Sequence, residues 1–264
     1  MTQLTFVGGG KMGEALIAGA LRGDFAAGQI NVIEPDAQRA KTLTEIYGVK
    51  VSSDAATVAG ADVVVLAVKP QVILQVCGDL KELIAPQALV VSIAAGITTA
   101  SLEGALATGT SVVRVMPNTP AFVGEGMSVL SAGAHASQAD LDAVRAIFEP
   151  VSRVLVVDES DQNAVTAISG SGPAYFFYLV EAMEAAGVEL GLSAAIAREL
   201  AVQTAVGASA MLSQTGEDPA VLRGNVTSPG GTTAAAISML DQAQVRQAIG
   251  VAIKAAYQRS IELA

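Results

Sequence analysis

The sequence predicts an α/β protein in which a doubly wound, mostly parallel sheet is followed by an all-α domain. Short, nearly continuous apolar segments alternate with helical segments through the first 160 residues, a pattern typical of parallel sheets covered on both faces. A glycine-rich turn follows the first apolar segment, and strand signals disappear from about residue 160 onward. We therefore expect a dinucleotide-binding domain over residues 1–160 and a helical domain over residues 161–264.

Eight segments rich in β-branched residues are predicted as strands, and Pro35, Gly48 and Pro70 mark where elements end. The predicted strands are Leu4–Gly8, Asn31–Glu34, Val49–Val51, Asp62–Val68, Leu89–Ile93, Ser111–Met116, Met127–Leu130 and Arg153–Val157. The predicted helices between them are Met12–Leu21, Asp36–Tyr47, Val72–Leu83 and Asp140–Phe148.

The C-terminal part of the chain is predicted to be helical. Its predicted helices are Asn163–Glu189, Ala194–Ser213, Thr232–Leu240 and Gln242–Leu263. The last helix carries an apolar stripe in steps of four, formed by Val245, Ile249, Ile253, Tyr257 and Ile261. Such a stripe packs in the core of one chain or in a subunit interface, and spacing alone does not distinguish the two.

The composition favours an oligomer. Only 15% of the 264 residues are charged and 52% are hydrophobic, whereas roughly 25% of residues are charged in typical soluble domains. A monomer would cover itself poorly with so few charges, so we expect burial between subunits. The alternative is an alanine-rich composition, which raises the hydrophobic fraction without needing a partner.

The net charge and the cysteine content limit the classes of protein to which this chain can belong. The net charge of −10 argues against nucleic acid as a partner, because phosphate binding needs clustered lysine and arginine. No apolar run approaches the roughly 20 residues of a membrane helix, and the N-terminal residues lack a basic signal region. The single cysteine, Cys77, excludes an internal disulfide framework. We therefore expect a cytoplasmic protein that binds neither nucleic acid nor membranes.

The glycine-rich turn has the pattern of a dinucleotide-binding motif. Gly8–Gly9–Gly10–Lys11–Met12–Gly13 lies between a predicted strand and a predicted helix, where glycines allow a tight turn and close approach to a pyrophosphate. Glu34 ends the next strand, 21 positions after Gly13, close to the spacing of about 20 expected for the acidic residue that binds the adenosine ribose. This context predicts a Rossmann-type cofactor domain.

The choice between NADH and NADPH stays open. Glu34 would accept a hydrogen bond from the 2′-hydroxyl of NADH and repel the 2′-phosphate of NADPH. Arg39 and Lys41 lie close by in the sequence and would weaken that repulsion.

Three further segments follow predicted strands and are expected to line the cofactor groove, because ligands of open α/β sheets bind at the carboxyl edge of the strands. They are Ala67–Val68–Lys69–Pro70, Ala94–Ala95–Gly96 and the segment Met116–Pro120. Asn118 is predicted to lie near the nicotinamide, whereas Lys69 is equally consistent with a solvated charge.

A second anion site is predicted far along the chain. Asn225–Thr233, with the sequence NVTSPGGTT, places hydroxyls, glycines and a proline just ahead of a helical segment. Backbone N–H groups and the positive end of a helix dipole at such a loop attract a small anion such as a carboxylate. The two anion sites together predict a cofactor and a small acid brought into contact.

Five segments, taken in order, resemble the pyrroline-5-carboxylate reductase family. They are Gly8–Gly13, Ala67–Pro70, Met116–Pro120, Ser169–Tyr175 with the sequence SGSGPAY, and Asn225–Thr233. The last two are far more specific than the glycine motif, and the resemblance covers essentially the whole chain. It implies NADPH- or NADH-dependent reduction of Δ1-pyrroline-5-carboxylate to L-proline, the last step of proline biosynthesis. It also implies a Rossmann domain, a helical dimerisation domain, and homodimers that often assemble into decamers.

The resemblance also assigns roles to residues. The loop Ser228–Thr233 of a partner subunit is implied to bind the substrate carboxylate, Thr233 to contact the ring nitrogen as the catalytic residue, and Asn225 to approach the cofactor. Relatives often have asparagine where this chain has Asp54, which with Glu34 is expected to favour NADH. The residues implied to bind substrate are Glu159, Ser228, Gly231, Thr232 and Thr233.

The sequence lacks a histidine expected to act as a general acid, and this absence agrees with reduction of an imine. Reduction of a 2-oxo acid usually needs a general acid, commonly histidine, and the one histidine, His135, lies in a small-residue loop expected at the surface. An imine nitrogen can arrive already protonated, so the protein has mainly to position the carbon and exclude water. No cluster of cysteine, histidine and aspartate suggests a metal site.

Two alternatives remain. A β-hydroxyacid-type dehydrogenase or a related imine reductase would share the two-domain plan, but such dehydrogenases commonly use a lysine in the first interdomain helix, and Asn163–Glu184 contains none. A dinucleotide-sensing scaffold would bind the cofactor without turnover and would not need Ser228–Thr233.

Overall fold

The structure is a computed structural model that describes residues 2–263. These residues form two compact units. The first unit contains the residues up to Gly170 together with those from Ala256 onward, and the second is Ser171–Ala255. The predicted domain boundary at residue 160 stays a prediction.

The first unit is built on an eight-stranded sheet. Its strands are β1 (Leu4–Val7), β2 (Ile30–Ile33), β3 (Lys50–Ser52), β4 (Val63–Leu66), β5 (Leu89–Ser92), β6 (Val112–Met116), β7 (Gly126–Ala132) and β8 (Ser152–Val156). Their order across the sheet is β3-β2-β1-β4-β5-β6-β7-β8. Neighbouring strands pair in parallel except β6 and β7, which are antiparallel. The predicted doubly wound, mostly parallel sheet is confirmed.

Helices cover both faces of this sheet. They are α1 (Lys11–Arg22), α2 (Ala37–Tyr47), α3 (Pro70–Leu80), α4 (Thr99–Ala105) and α5 (Gln138–Phe148). Successive side chains of a strand point to opposite faces, so Val63 and Val65 pack with α1, α2 and α5, whereas Val64 and Leu66 pack with α3 and α4. Both faces of the central strands are therefore apolar, which explains their uninterrupted runs of valine.

Helix ends in the first unit follow local capping signals. Asp36 caps α2 by accepting a hydrogen bond from the backbone N–H of Arg39 at 2.8 Å, and Gly48 ends that helix in the left-handed conformation with φ of 67°. Ser137 and Asp140 form a reciprocal capping box at the start of α5, an arrangement that satisfies two helix N-terminal donors. Pro70 occupies the first turn of α3, where its missing N–H costs nothing.

The C-terminal region is helical, as predicted. Its helices are α6 (Gln162–Val165), α7 (Gly172–Glu189), α8 (Ala194–Thr215), α9 (Pro219–Asn225), α10 (Thr232–Gln242) and α11 (Val245–Leu263). The helix predicted over Asn163–Glu189 is divided, because a π-helical turn, Thr166–Gly170, separates α6 from α7. A Cβ atom on Gly170 would lie 2.5 Å from the Cε atom of Met116, so a side chain at this position would displace the end of the methionine side chain.

The second unit leaves many large apolar side chains exposed. Tyr178 is 76% exposed and Phe177 is 61% exposed, both on α7, and Leu200 and Val206 of α8 are more than half exposed. Exposed apolar surface of this extent commonly marks a protein–protein interface. None of the helices within residues 2–263 is long and apolar enough to cross a membrane.

The thiol of Cys77 is expected to be unreactive in the folded protein. Cys77 lies in α3 with no exposed surface, and burial raises its pKa from 9.0 to about 11. Because the thiolate is the reactive form, we expect the native protein to react with a disulfide reagent such as DTNB at pH 8 far more slowly than protein unfolded in guanidinium chloride. Rapid stoichiometric labelling of the native protein would contradict the burial of this side chain.

Candidate functional site

The strand order of the sheet reverses at the carboxyl ends of β1 and β4. The chain runs outward from β1 through β2 to β3 and then returns to β4 on the other side of β1, and ligands of open α/β sheets bind where the strand order reverses in this way. The backbone N–H of Ala67 donates to the carbonyl of Val7 at 2.8 Å, which holds the segment after β4 beside the glycine-rich turn. Two of the predicted cofactor segments therefore lie together.

Two glycines of the turn are required by its geometry. Gly8 has φ of +103°, and a Cβ atom there would lie 2.7 Å from the carbonyl oxygen of Ala67. A Cβ atom on Gly13 would lie 2.6 Å from the carbonyl oxygen of Gly8. Gly10 differs, because it is exposed and a Cβ atom there would meet no described atom within 4 Å. The open space beside Gly10 leaves the backbone accessible to a ligand.

The N-terminus of α1 supplies hydrogen-bond donors at this turn. The first intrahelical bond runs from the N–H of Glu14 to the carbonyl of Gly10 at 2.9 Å, so the N–H groups of Lys11, Met12 and Gly13 have no acceptor within the helix. No side chain caps this end among residues 2–263. Unsatisfied donors at a helix N-terminus suit the phosphates of a dinucleotide.

Glu34 lies directly against the glycine-rich turn. One carboxylate oxygen accepts from the N–H of Gly9 at 2.8 Å and the other from the N–H of Asp36 at 2.9 Å. Each carboxylate oxygen has further acceptor capacity, so the side chain can still accept from a ribose hydroxyl. The predicted acidic residue is thus at the end of β2 beside the turn, as the motif spacing indicates.

The segments after β4 and β5 also lie at this edge. Lys69 is exposed and immediately precedes α3, so the structure is consistent with a solvated charge at that position. Gly96 has φ of +80°, and a Cβ atom there would lie 2.9 Å from the carbonyl oxygen of Leu263. Ala94 is buried, and its N–H donates to the hydroxyl of Ser92 at 3.3 Å.

The amide of Asn118 bonds to protein groups at both ends. Its oxygen accepts from the N–H of Met127 at 2.8 Å, and its nitrogen donates to the carbonyl and hydroxyl oxygens of Ser169 at 3.2 and 3.4 Å. Asn118 therefore ties the π-helical turn to the sheet. Its predicted position near the nicotinamide stays a prediction.

A polar cluster around Glu159 was not expected from the sequence. Its carboxylate accepts from the N–H of Thr99 at 2.7 Å, from the hydroxyl of Thr99 at 2.6 Å and from the guanidinium of Arg114 at 3.1 Å. The Arg114 side chain is only 3% exposed, and its second terminal nitrogen has no hydrogen-bond partner among the described residues. One available signal was the single charged residue inside the apolar strand Val112–Met116.

Asp54 lies at the end of β3, outside the glycine-rich turn. Its carboxylate accepts from the N–H of Ala56 at 2.9 Å, and it precedes a short 3-10 helix, Ala55–Gly60. Lys41 is exposed and pairs with Glu45 one helical turn away, at 3.7 Å.

The second predicted anion site lies in the second compact unit. Ser228 and Gly231 close a tight turn through a 3.0 Å bond from the N–H of Gly231 to the carbonyl of Ser228, and Gly230 within it has φ of +71°. A Cβ atom on Gly231 would lie 2.5 Å from the hydroxyl oxygen of Ser228. Asn225 is exposed at the end of α9.

The turn Ser228–Gly231 leads directly into the N-terminus of α10. The first intrahelical bond there is donated by Ala235 to the carbonyl of Gly231 at 3.1 Å, which leaves the N–H groups of Thr232 and Thr233 without an acceptor in the helix. Among the described residues no side chain caps this helix. The predicted residues Ser228, Gly231, Thr232 and Thr233 are thus brought together as a turn and a helix start.

Comparisons with known proteins match both parts of the chain. Residues 159–263 match the family model for pyrroline-5-carboxylate reductase dimerisation, and residues 3–96 match the model described as NADP oxidoreductase coenzyme F420-dependent. The pyrroline-5-carboxylate reductase of Pseudomonas aeruginosa is 46% identical, with 99% of this chain and 97% of that protein covered. This chain belongs to the pyrroline-5-carboxylate reductase family.

Solved structures of this family agree over the full length. A pyrroline-5-carboxylate reductase from Coxiella burnetii has a TM-score of 0.93 and 36% identity, covering 100% of this chain and 98% of that one. The pyrroline carboxylate reductase of Plasmodium falciparum, solved with NADP bound, has a TM-score of 0.89 and 29% identity, covering 99% of this chain and 98% of that one. The predicted family and its two-part fold are therefore confirmed.

The residues at the edge of the sheet fit the dinucleotide that this reductase family uses. The open backbone at Gly10, the donors at the start of α1 and the acceptor at Glu34 match pyrophosphate and ribose in chemistry. Within residues 2–263 no three histidine, cysteine, aspartate or glutamate side chains lie close enough to hold a metal ion.

Proposed function

We propose that this chain catalyses the NAD(P)H-dependent reduction of Δ1-pyrroline-5-carboxylate to L-proline, the last step of proline biosynthesis. The observation that carries the proposal is its similarity to pyrroline-5-carboxylate reductases over its whole length, in the sheet unit and in the helical unit alike. The two predicted anion sites support the proposal, because a helix N-terminus of the kind found at each suits a pyrophosphate or a carboxylate.

When bound, the dinucleotide would supply a hydride from C4 of its reduced nicotinamide ring. The backbone N–H groups of Lys11, Met12 and Gly13 would hold its phosphates, and Glu34 would accept from its adenosine ribose. Ala67–Val68–Lys69–Pro70 and Ala94–Ala95–Gly96 line the groove, and Asn118 fixes the π-helical turn beside it. The remaining residues proposed to contact the cofactor are Gly8, Gly9 and Asn225.

The turn Ser228–Gly231 and the start of α10 hold the substrate carboxylate. The N–H groups of Thr232 and Thr233 donate to it without the need for an arginine, since a helix N-terminus stabilises negative charge. The hydroxyl of Thr233 lies one residue into the helix and donates to, or relays a proton for, the ring nitrogen. Glu159 is proposed to border the substrate, as the resemblance implies, and the hydrogen bond from Arg114 orients its carboxylate.

The protein is proposed to work as a cytoplasmic homodimer in which this turn serves the cofactor of a partner subunit. Support comes from the match of residues 159–263 to the dimerisation model and from the exposed apolar side chains of α7 and α8. Assembly of dimers into decamers is an extension of the same proposal. The net charge of −10 supports the absence of nucleic acid among its partners.

Turnover of the substrate with each reduced dinucleotide tests the proposal. We expect the purified protein to convert pyrroline-5-carboxylate to proline with both cofactors, followed by loss of dihydronicotinamide absorbance and by chromatography of proline. Glu34 and Asp54 favour NADH, and we expect its kcat/KM to exceed that of NADPH by about tenfold, equivalent to about 1.4 kcal/mol.

Other outcomes of that assay separate the alternatives. Binding of NADH without turnover of the imine would favour a sensing scaffold. Turnover of a 3-hydroxy acid in place of the imine would favour a β-hydroxyacid-type dehydrogenase.

A further inference from the structure

A second charged cluster lies beneath the glycine-rich turn. The guanidinium of Arg39 donates through Nε to the carbonyl of Gly9 at 2.5 Å and through a terminal nitrogen to the carboxylate of Glu14 at 2.5 Å. The hydroxyl of Tyr47 donates to the other oxygen of Glu14 at 2.9 Å. Both oxygens of the Glu14 carboxylate are therefore in use, and the arginine is fixed at two points.

This cluster is largely withdrawn from solvent. The side chains of Arg39 and Glu14 are 26% and 20% exposed. Burial raises the pKa of the Glu14 carboxyl, but the hydrogen bonds from Arg39 and Tyr47, together with the arginine charge, outweigh burial and leave this pKa below its ordinary value of 4.5. Glu14 is therefore charged at neutral pH and holds the arginine as an ion pair.

The position of Arg39 is close to the site proposed for the adenosine ribose. Arg39 lies in the first turn of α2, directly after Glu34 and Asp36 at the end of β2, and its own N–H donates to Asp36. Arg39 donates to the carbonyl of Gly9, and the N–H of the same residue donates to Glu34. The guanidinium of Arg39 and the carboxylate of Glu34 thus form hydrogen bonds with the same residue, Gly9.

The charges at this end of β2 oppose a 2′-phosphate. The guanidinium of Arg39 pairs with the carboxylate of Glu14, and two further carboxylates lie at this end of β2, those of Glu34 and Asp36, which accept from the backbone N–H groups of Gly9 and Arg39. Lys41 pairs with Glu45 on the exposed side of α2. A phosphate monoester carries about −1.5 to −2 at neutral pH. Arginine binds phosphate through paired donors in a planar fork, but here one terminal nitrogen already donates to Glu14. A 2′-phosphate would have to compete with that carboxylate.

We propose that Glu14 sets the dinucleotide selectivity of this protein by holding Arg39 against the glycine-rich turn and away from a 2′-phosphate. Glu14 is a positioning residue, because it acts through Arg39. The inference rests on the proposed use of NADH or NADPH, and it identifies a side chain, in addition to Glu34, that weakens binding of the phosphorylated form. Releasing Arg39 provides the cation that a 2′-phosphate needs.

Binding of two cofactor fragments measures this effect without turnover. ADP-ribose and 2′-phospho-ADP-ribose differ only in the 2′-phosphate, and their dissociation constants are obtained by isothermal titration calorimetry on the full-length protein. In Glu14→Gln the carboxylate becomes a neutral amide that still accepts from Tyr47. We expect this variant to bind 2′-phospho-ADP-ribose about tenfold more tightly, while its affinity for ADP-ribose changes less than about twofold.

Two further variants assign the gain to Arg39. Glu149→Gln removes an exposed carboxylate that pairs with Arg145, remote from the ribose site, and is the matched control for net charge, so we expect its selectivity to equal that of the wild type. In the double variant Glu14→Gln, Arg39→Gln the gain is expected to disappear, as a double-mutant cycle requires for coupled residues. Glu34→Ser, which removes the ribose acceptor itself, serves as a positive control for a shift toward the phosphorylated fragment.

Each contrary result has a distinct meaning. An unchanged ratio of dissociation constants in Glu14→Gln, an equal gain in Glu149→Gln, or a gain that survives replacement of Arg39 would each overturn the inference. If Glu14→Gln bound neither fragment, Glu14 would be needed for the structure of the turn, and the inference would again be overturned. Failure of the wild type to bind either fragment would refute the proposed cofactor, and with it this inference, whereas normal binding with unaltered selectivity would refute the inference alone.

Discussion

Thr233→Ala is expected to lower kcat for pyrroline-5-carboxylate by about a hundredfold, because a hydroxyl that donates to the reacting nitrogen or relays its proton contributes on the order of 10²-fold or more. The backbone N–H of residue 233 is kept, so binding of the substrate carboxylate should weaken little. Binding of NADH should stay within about twofold of the wild type, since the change removes no donor from the phosphate site. Steady-state kinetics and calorimetric titration of NADH measure the two effects separately.

Thr233→Ser is the matched control for this prediction. Serine retains the hydroxyl and loses only the methyl group, so we expect most of the activity to remain. Equal losses in the serine and alanine variants would mean that the methyl group, through packing at the start of α10, is the part of Thr233 that matters. That result would remove the hydroxyl from the mechanism.

Glu159→Ala is expected to lower the free energy of unfolding by about 2 kcal/mol. Removing one partner of a buried ion pair costs about 3–5 kcal/mol because the other charge is left uncompensated. The cost is reduced here because the Glu159 side chain is 26% exposed, although Arg114 is only 3% exposed. For a chain of this size the melting temperature should fall by about 6 °C. Thermal unfolding at one fixed protein concentration measures the shift, since assembly also affects stability.

Glu149→Ala provides the control for that measurement. Glu149 pairs with Arg145 at 3.3 Å on the surface of α5, where the glutamate is 53% exposed, and such pairs contribute at most about 1 kcal/mol. We expect its melting temperature to stay within about 3 °C of the wild type. A Glu159→Ala protein that melts with the wild type but has lost activity would instead support direct contact of Glu159 with the substrate.

Structural features that depend on residues close together in the chain were predictable from the sequence. The alternation of strands and helices, the glycine-rich turn and the position of Glu34 each depend on residues that are close together in the chain or on a fixed motif length. The start of α9 also had a local signal, because Asp218 precedes Pro219 and accepts a hydrogen bond from the N–H of Ala220. That helix was nevertheless missed, since its seven residues are too few to show a clear periodicity.

Features that depend on distant residues were not predictable. The start of α4 is held by Glu159, which lies 60 positions away from Thr99, and no local pattern connects the two. Arg39 was recognised only as a nearby positive charge, because its partner Glu14 is 25 positions earlier. The π-helical turn that divides the helix predicted over Asn163–Glu189 likewise lies against a distant residue, since Gly170 approaches Met116. Tertiary contacts of this kind override local propensity.

Gly9 is hydrogen-bonded through both its N–H and its carbonyl, and this has a consequence for the thermodynamics of cofactor binding. Its N–H donates to Glu34, its carbonyl accepts from Arg39, and a Cβ atom at this position would collide with Leu43. The loop that we propose binds the pyrophosphate is thus preorganised by the strand and helix that follow it. Association then requires little ordering of backbone, and the entropy cost that a mobile loop would impose is avoided. A displacement of α2 would accordingly be transmitted to the phosphate groups, although none of its side chains needs to touch them.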